Sequence, residues 1–537
     1  MTHRTPSLLV AILAFAAVAA DKPPLHQRVD RLVAAGSPDF AKVAAPLASD
    51  AEFLRRVYLD LTGTIPSADA ARAFLKDSSP DKRRAVIDRL LTSPEHARHM
   101  AYVLDEMLME RRADKNVPKA LWLEYLRTSV AENKPWDKLV REILSSDGVD
   151  PKTRPAAKFF LDRDGEPNLI TRDVSRLFLG TNFTCCQCHD HPIVDDFKQE
   201  HYYGIFAFVS RSALLPDSAL KISVLAEKGD GEVTFQSVFD KAKVTKSTGP
   251  RMPNGTALKE PMIEKGKEYV VAPAKGVRHI PTYSRLARLG PELTASTNTA
   301  FARNGANRLW ALMMGRGIVH PLDMDHSRNP PSHPELLAML TEEFVAAKFD
   351  MRAMLRELAL SQTYQRSSEG PAGVNAPPLY AVAILKPLSP EQLAWSLLQA
   401  TGYTDAERKA VAASATEAAL FARLSPAAGP VIAAFAGQAG AAASFDARVE
   451  QALFLTNGAL LRTWLAPRAG NLTSRLEPLQ GDALADELYL SVFTRPASAE
   501  ERKDVADFLT ARKDDRAKAL QDMAWALLAS AEFRFNH

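Results

Sequence analysis

All three cysteines of this 537-residue chain fall within four consecutive positions, as Cys185, Cys186 and Cys188. Thiols that close together cannot staple distant parts of a fold, so stability has to come from hydrophobic cores rather than a disulfide framework. At roughly 100–200 residues per domain, the length suggests two to four such cores. Apolar residues make up 46% and charged residues 24%, a globular balance that excludes a disordered chain in spite of 35 prolines. With 67 Lys and Arg against 64 Asp and Glu, and no long basic block, nucleic acid is not an expected partner.

The first twenty residues have the layout of a secretory signal: Arg4 in a short basic start, then an apolar stretch from Leu8 to Ala20 that ends in the small residues Ala17, Ala19 and Ala20. Residues 1–20 are therefore read as a signal peptide, which makes the mature protein periplasmic or secreted. An uncleaved N-terminal anchor is the alternative. No second apolar stretch of membrane-spanning length is expected, so the mature chain should carry no stable membrane span.

Helix signals dominate the chain beyond this leader. Phe53, Val57 and Leu61 recur at helical spacing and Gly63 offers a left-handed stop. Ser79-Pro80 and Ser93-Pro94 each place a capping hydroxyl before a proline at a helix start. Residues 122–130 and 136–144 continue the helical pattern. The texture changes at about 219–281, where residues 222–236 alternate around Gly229-Asp230-Gly231 as a hairpin would. Helices then resume, with capping boxes at Ser332/Glu335, Ser389/Gln392 and Ser498/Glu501. The Ala-rich stretch 410–443 is read as helices broken at Gly429-Pro430. The fold class expected is mainly α, two helical domains with a small β-rich insertion between them.

The chemistry concentrates in Cys185-Cys186-Gln187-Cys188-His189-Asp190-His191-Pro192. Cys185-x-x-Cys188-His189 is the c-type haem attachment pattern: two thiols three apart can reach the two vinyl groups of one haem, and the adjacent imidazole, His189, falls to the iron as proximal ligand. An export signal agrees with attachment outside the cytoplasmic membrane. Three other readings compete. A zinc or iron site could use Cys185, Cys188, His189 and His191, although four ligands within seven residues strain one tetrahedral shell. A Cys185–Cys188 redox dithiol is the second, and plain structural cysteines the third. Cys186 is outside the attachment pattern and reads as a small buried side chain.

His191 is too close to reach the opposite haem face, so it is an alternative metal ligand or a hydrogen-bonding residue behind the ligand. Candidates for a second axial ligand are His201, His96, His99, His320, His326, Met100, Met107 and Met313. The aromatic run Phe197, Tyr202, Tyr203, Phe206 and Phe208 either walls a macrocycle or packs into protein. Asp323-Met324-Asp325-His326 is a weak metal candidate, better explained as a loop before the Ser332 helix. Zinc-protease, serine-hydrolase, phosphate-loop and dinucleotide motifs are absent from the sequence.

Several segments carry a family resemblance. Phe53-Leu54-Arg55-Arg56-Val57-Tyr58-Leu59-Asp60-Leu61-Thr62-Gly63, the stretch from Phe178-Leu179-Gly180 to His191-Pro192, and Tyr202-Tyr203-Gly204 resemble the planctomycete cytochrome-type domain of unknown function, number fifteen-forty-nine. Asn307-Arg308-Leu309-Trp310, Asn329-Pro330-Pro331-Ser332-His333-Pro334, Ser361-Gln362-Thr363-Tyr364 and the ending around Leu488 to Phe533 resemble its C-terminal companion, number fifteen-fifty-three. Together the two are expected to cover nearly the whole mature chain. The resemblance implies an exported protein with a cytochrome-like centre at Cys185, Cys188 and His189, and no assigned substrate. Cys186 stands where that family commonly has a small residue such as alanine. The resulting division is a linker at 21–45, a cytochrome-type domain at 46–215, the insertion at 216–290 and the companion domain at 291–537. Its function is expected to be that of a covalent-haem redox protein with a redox partner protein, as an electron carrier or the electron-accepting component of an oxidative degradative system. The alternative is a non-haem scaffold or binding protein whose Cys/His cluster holds zinc or a disulfide.

Overall fold

Helix Asp50–Thr62 is the element on which the rest is assembled. Ser49 caps it by accepting from the Glu52 N–H at 3.2 Å, and Gly63 ends it at φ 70°. Its expected apolar face, Phe53, Val57 and Leu61, lies in one hydrophobic core, while Leu59 on another face joins a second. The computed structural model describes residues 22–374, 377–411, 416–438 and 448–537, so the signal expected at 1–20 lies outside the described residues. The first core draws mainly on helices between Leu25 and Leu360, and the second mainly on those between Pro390 and Leu528. Sheet structure among the described residues is confined to two-stranded antiparallel pairs. The mainly α architecture, with a small strand-containing region between helical parts, is the expected one.

Several local expectations need correction. Residues 21–45, read as a linker, instead carry helix Leu25–Ala35, with Val29 and Val33 buried, and the short helix Phe40–Val43. Pro23-Pro24 are tolerated because they precede the first helical turn, whose N–H groups need no partner within the helix. The Ser93-Pro94 start holds, with Ser93 accepting from the His96 N–H at 3.2 Å. After Ser79-Pro80, however, the helix begins only at Lys82, because Asp77 closes a turn there through the Ser79 N–H and the Lys82 ammonium. Capping boxes form at Ser389 and Ser498. Ser332 is instead tied to the Ile318 carbonyl at 2.9 Å through its N–H, which leaves His333 at the cap before Pro334.

The expected hairpin over 222–236 is also re-paired. Strand Ile222–Glu227 pairs back onto Ser212–Asp217, and Val233–Phe235 pairs forward onto Lys246–Thr248. The Glu227 carboxylate accepts the N–H groups of Arg285 and Leu286 at 2.7 and 3.1 Å. That tether holds the end of the strand at the following helix rather than letting it turn on itself.

In the Ala-rich stretch, residues 412–415 and 439–443 lie outside the described residues. Helix Glu417–Phe435 runs through Gly429-Pro430 without the expected break. Pro426 and Pro430 both lie on the exposed face, where water can satisfy the carbonyls they leave unpaired, while Leu420, Leu424, Ala428 and Val431 are buried. This helix is also long and apolar enough, by length and composition, to cross a membrane. The expectation of no second such stretch is corrected accordingly; here its apolar stripe belongs to the second core.

Gly63 gives the first testable consequence. A Cβ at this left-handed position would stand 2.4 Å from His99 Nδ1. Gly63→Ala is therefore expected to cost about 1–3 kcal/mol, read as a lowered thermal midpoint. An unchanged midpoint would mean that the helix end and His99 can both shift freely.

Candidate functional site

The cysteine turn is reached from helix Pro167–Phe178, whose first turn is capped by the Glu166 carboxylate through the Asn168 and Leu169 N–H groups. Gly180, at φ 70°, then redirects the chain where a side chain would meet Asn304 Oδ1 at 2.9 Å. Thr184–Gln187 forms a 3₁₀ turn. Cys185 lies within this turn and Cys188 caps its end. Both are free and exposed, while Cys186 is buried. Burial, reinforced by the neighbouring Cys185 and Asp190, pushes the Cys186 thiol up to about 12. It is the small inward side chain that its place outside the pattern implied.

The turn is held from behind. Asn168 Oδ1 accepts from Tyr202 Oη at 2.8 Å and Gln187 Nε2 at 3.3 Å, and Tyr203 Oη donates to the Gln187 carbonyl at 2.9 Å. Tyr203 in turn stacks on Phe235 at 4.5 Å. Phe197, Tyr202 and Phe208 are buried, so of the two roles open to the aromatic run they take the packing one. The aromatic that approaches the histidine comes from elsewhere: Phe239, in the loop after Val233–Phe235, lies 4.6 Å from the His189 ring. The adjacent Val238 N–H donates to the Cys188 carbonyl at 3.0 Å, and both Val238 and Phe239 are largely exposed. Nothing in the sequence marks this contact, because it depends on how the insertion folds back.

His189 donates from Nδ1 to the Asp190 carbonyl at 2.6 Å, which leaves the Nε2 lone pair free. Asp190 itself accepts from the Gln199 N–H at 2.8 Å, fixing the start of helix Gln199–Val209. His191 is used differently: its Nδ1 accepts from the N–H groups of Ile193 and Val194 at 3.2 and 3.0 Å. Burial and the nearby His326 and His189 lower its pKa, so it serves as a neutral loop clasp.

The other candidate ligands scatter. His201 and His326 line a cavity of about 880 Å³ together with Phe183 and Phe197. Phe197 makes edge contacts with Phe183, His191 and His326 at 5.1, 5.8 and 5.2 Å, so it stands between the cysteine segment and that cavity. Asp325 of the weak metal candidate pairs instead with Arg303, and Asn182 donates to Asp323 at 3.3 Å. His96 and His99 lie on helix Pro94–Met109, and burial lowers them to about 4 and about 3. Met100 and Met313 are buried in the first core, Met107 packs against it, and His320 lies beyond helix Thr299–Met314.

Haem and zinc, the two cofactors expected from sequence, make different demands on these residues. Two exposed thiols at one turn, an imidazole with a free Nε2 and the exposed apolar Val238 and Phe239 are compatible with a large, flat, apolar group bound through sulfur. For zinc, no three His, Cys, Asp or Glu side chains converge among the described residues, and His191 Nδ1 is already engaged by two backbone donors.

Comparison with known proteins bears on the same residues. The family model described as PSCyt2, a protein of unknown function (DUF1549), matches residues 28–213. The one described as PSD1, a protein of unknown function (DUF1553), matches residues 285–425. The strand-containing region falls between the two matches, and the expected extension of the second to the end of the chain is not part of the match. No curated protein and no solved structure matches the chain.

Proposed function

We propose that this chain, which carries a PSCyt2 match over residues 28–213 and a PSD1 match over residues 285–425, is an exported redox protein holding one covalent haem at Cys185, Cys188 and His189. The observation that carries the proposal is the division of labour within the turn: Cys185 and Cys188 stand exposed, Cys186 is buried, and the Asp190 carbonyl fixes His189 with Nε2 free. A haem there supplies one-electron transfer at an iron. The chain's own residues hold and orient the site. Asn168, Tyr202 and Tyr203 fix the turn from behind, His191 clasps the loop after it, and Val238 and Phe239 offer an apolar shelf. An exposed edge of this kind suits electron exchange with a redox partner protein, as a carrier or as the electron acceptor of an oxidative degradative system.

Co-expression with a c-type maturation system tests this directly. The wild-type protein should retain haem through denaturing electrophoresis, visible by peroxidase staining, and the pair Cys185→Ser with Cys188→Ser should lose it. A colourless wild-type protein containing one equivalent of zinc would overturn the proposal.

A further inference from the structure

Away from the cysteine turn, an amine and a carboxamide meet over one carboxylate. Strand Lys386–Pro387 pairs antiparallel with strand Phe535–Asn536, with Lys386 opposite Asn536 and Pro387 opposite Phe535. Residues opposed in this way stand about 4.5–5.5 Å apart at their Cα atoms, with both side chains on the same face. The two side chains converge on Asp60 of helix Asp50–Thr62, and on the same atom of it. Lys386 Nζ donates to Asp60 Oδ1 at 2.6 Å, and Asn536 Nδ2 donates to that oxygen at 2.7 Å. Tyr364 Oη takes the other carboxylate oxygen at 2.9 Å.

The surroundings suit a reaction between these two groups. Asp60, Tyr364 and Asn536 are buried, and the Lys386 side chain is only 17% exposed. Burial lowers the Lys386 pKa against the pull of Asp60, which favours the free amine, the nucleophilic form. Lys386 Nζ also donates to the carbonyls of Leu312 and Met313 at 3.2 and 2.9 Å. Those two bonds hold the nitrogen in place, so a proton passed to Asp60 bares a lone pair on the side of Asp60 Oδ1. The carboxamide is incompletely satisfied as it stands: Asn536 Oδ1 is a buried acceptor with no hydrogen-bond partner. Such a group costs about 1–3 kcal/mol until something donates to it.

We propose that Lys386 and Asn536 join in an intramolecular isopeptide bond, with Asp60 as general base and general acid. Lys386 Nζ passes one proton to Asp60 Oδ1 and attacks Asn536 Cγ. The Nζ–Cγ bond forms and the Cγ–Nδ2 bond breaks. A second proton of the attacking nitrogen is relayed through the same carboxyl to Nδ2, which leaves as ammonia. Asp60 ends protonated, so the ammonium and carboxylate charges vanish together, and the step needs neither oxidant nor co-reactant. The acid then donates to the carbonyl oxygen of the new amide, the acceptor that lacked a partner. Holding amine and carboxamide on one oxygen makes an ordinarily inert amide reactive, because positioning replaces a bimolecular encounter. The bond fastens segments far apart in the sequence, which the clustered cysteines cannot do. It is independent of the haem reading.

Mass spectrometry of the purified, folded protein tests the assignment. The wild-type chain should be lighter by one ammonia than the sequence counted from its own first residue. Its tryptic digest should contain a branched peptide in which the Lys386 and Asn536 segments are joined. Lys386→Met, Asn536→Ala and Asp60→Asn should each keep the full sequence mass and give no branched peptide. The two wild-type readings stand whether or not a variant folds. A wild-type chain of full sequence mass, a digest without the branched peptide, or an ammonia loss undiminished in Lys386→Met would overturn the assignment.

Discussion

Asp60→Ala should destabilise the protein by about 3–5 kcal/mol, the cost of leaving a buried cation without its counter-ion. Asp60 lies buried in helix Asp50–Thr62, where Lys386 Nζ, Asn536 Nδ2 and Tyr364 Oη donate to its carboxylate at 2.6, 2.7 and 2.9 Å. These donors come from three remote parts of the sequence, and Lys386 also donates to the carbonyls of Leu312 and Met313. Burial lowers the Lys386 pKa against the pull of Asp60, so the ammonium depends on that carboxylate. Tyr364 is pushed well above the ordinary phenol range by burial and by the Asp60 charge, and so remains a donor. The measurement is the urea midpoint. Asp60→Ala with Lys386→Met should be less destabilised than Asp60→Ala alone, since the double variant no longer strands a charge. A single variant within about 1 kcal/mol of wild type would mean that water or another carboxylate replaces Asp60.

This helix also shows how far the sequence could be read. Its period and its Gly63 stop are local signals, and both survive into the structure. Arg55, Arg56 and Asp60 of the same helix are charged, yet all three are buried. Apart from the Glu52 that Arg56 meets four residues back, their partners lie some three to five hundred positions away in the chain, beyond what any local pattern encodes. The cysteine turn divides in the same way. The spacing of Cys185, Cys188 and His189 is legible because the chemistry is contained in five residues. The inward turn of Cys186 follows from the 3₁₀ geometry, and the approach of Phe239 from strand pairings that the sequence pattern misassigned.

Asp173→Asn should cost about 3–5 kcal/mol at pH 7, with a loss that fades in acid. Arg163 is fully buried, and its Nε donates to Asp173 at 2.6 Å while its other nitrogens reach the carbonyls of Leu108 and Phe159. Arg176 meets Asp173 at 2.7 Å and grips both oxygens of Glu110. Burial alone raises the Asp173 pKa, but Arg163 and Arg176 outweigh it and hold the carboxyl below its ordinary value. A carboxyl depressed in the folded state contributes stability that is fully present above the unfolded value of about 3.9 and is lost as pH falls through the folded value. The urea midpoints of wild type and Asp173→Asn should therefore differ widely at pH 7 and converge below about pH 4. A gap of equal size at both pH values would assign the loss to shape rather than charge. The effect should also reach the cysteine turn, because Asn168, which receives Tyr202 and Gln187, lies on the same helix as Asp173. Alkylation of the buried Cys186 should be faster in Asp173→Asn than in wild type under native conditions, and an unchanged rate would show that the turn is held without this ion-pair network.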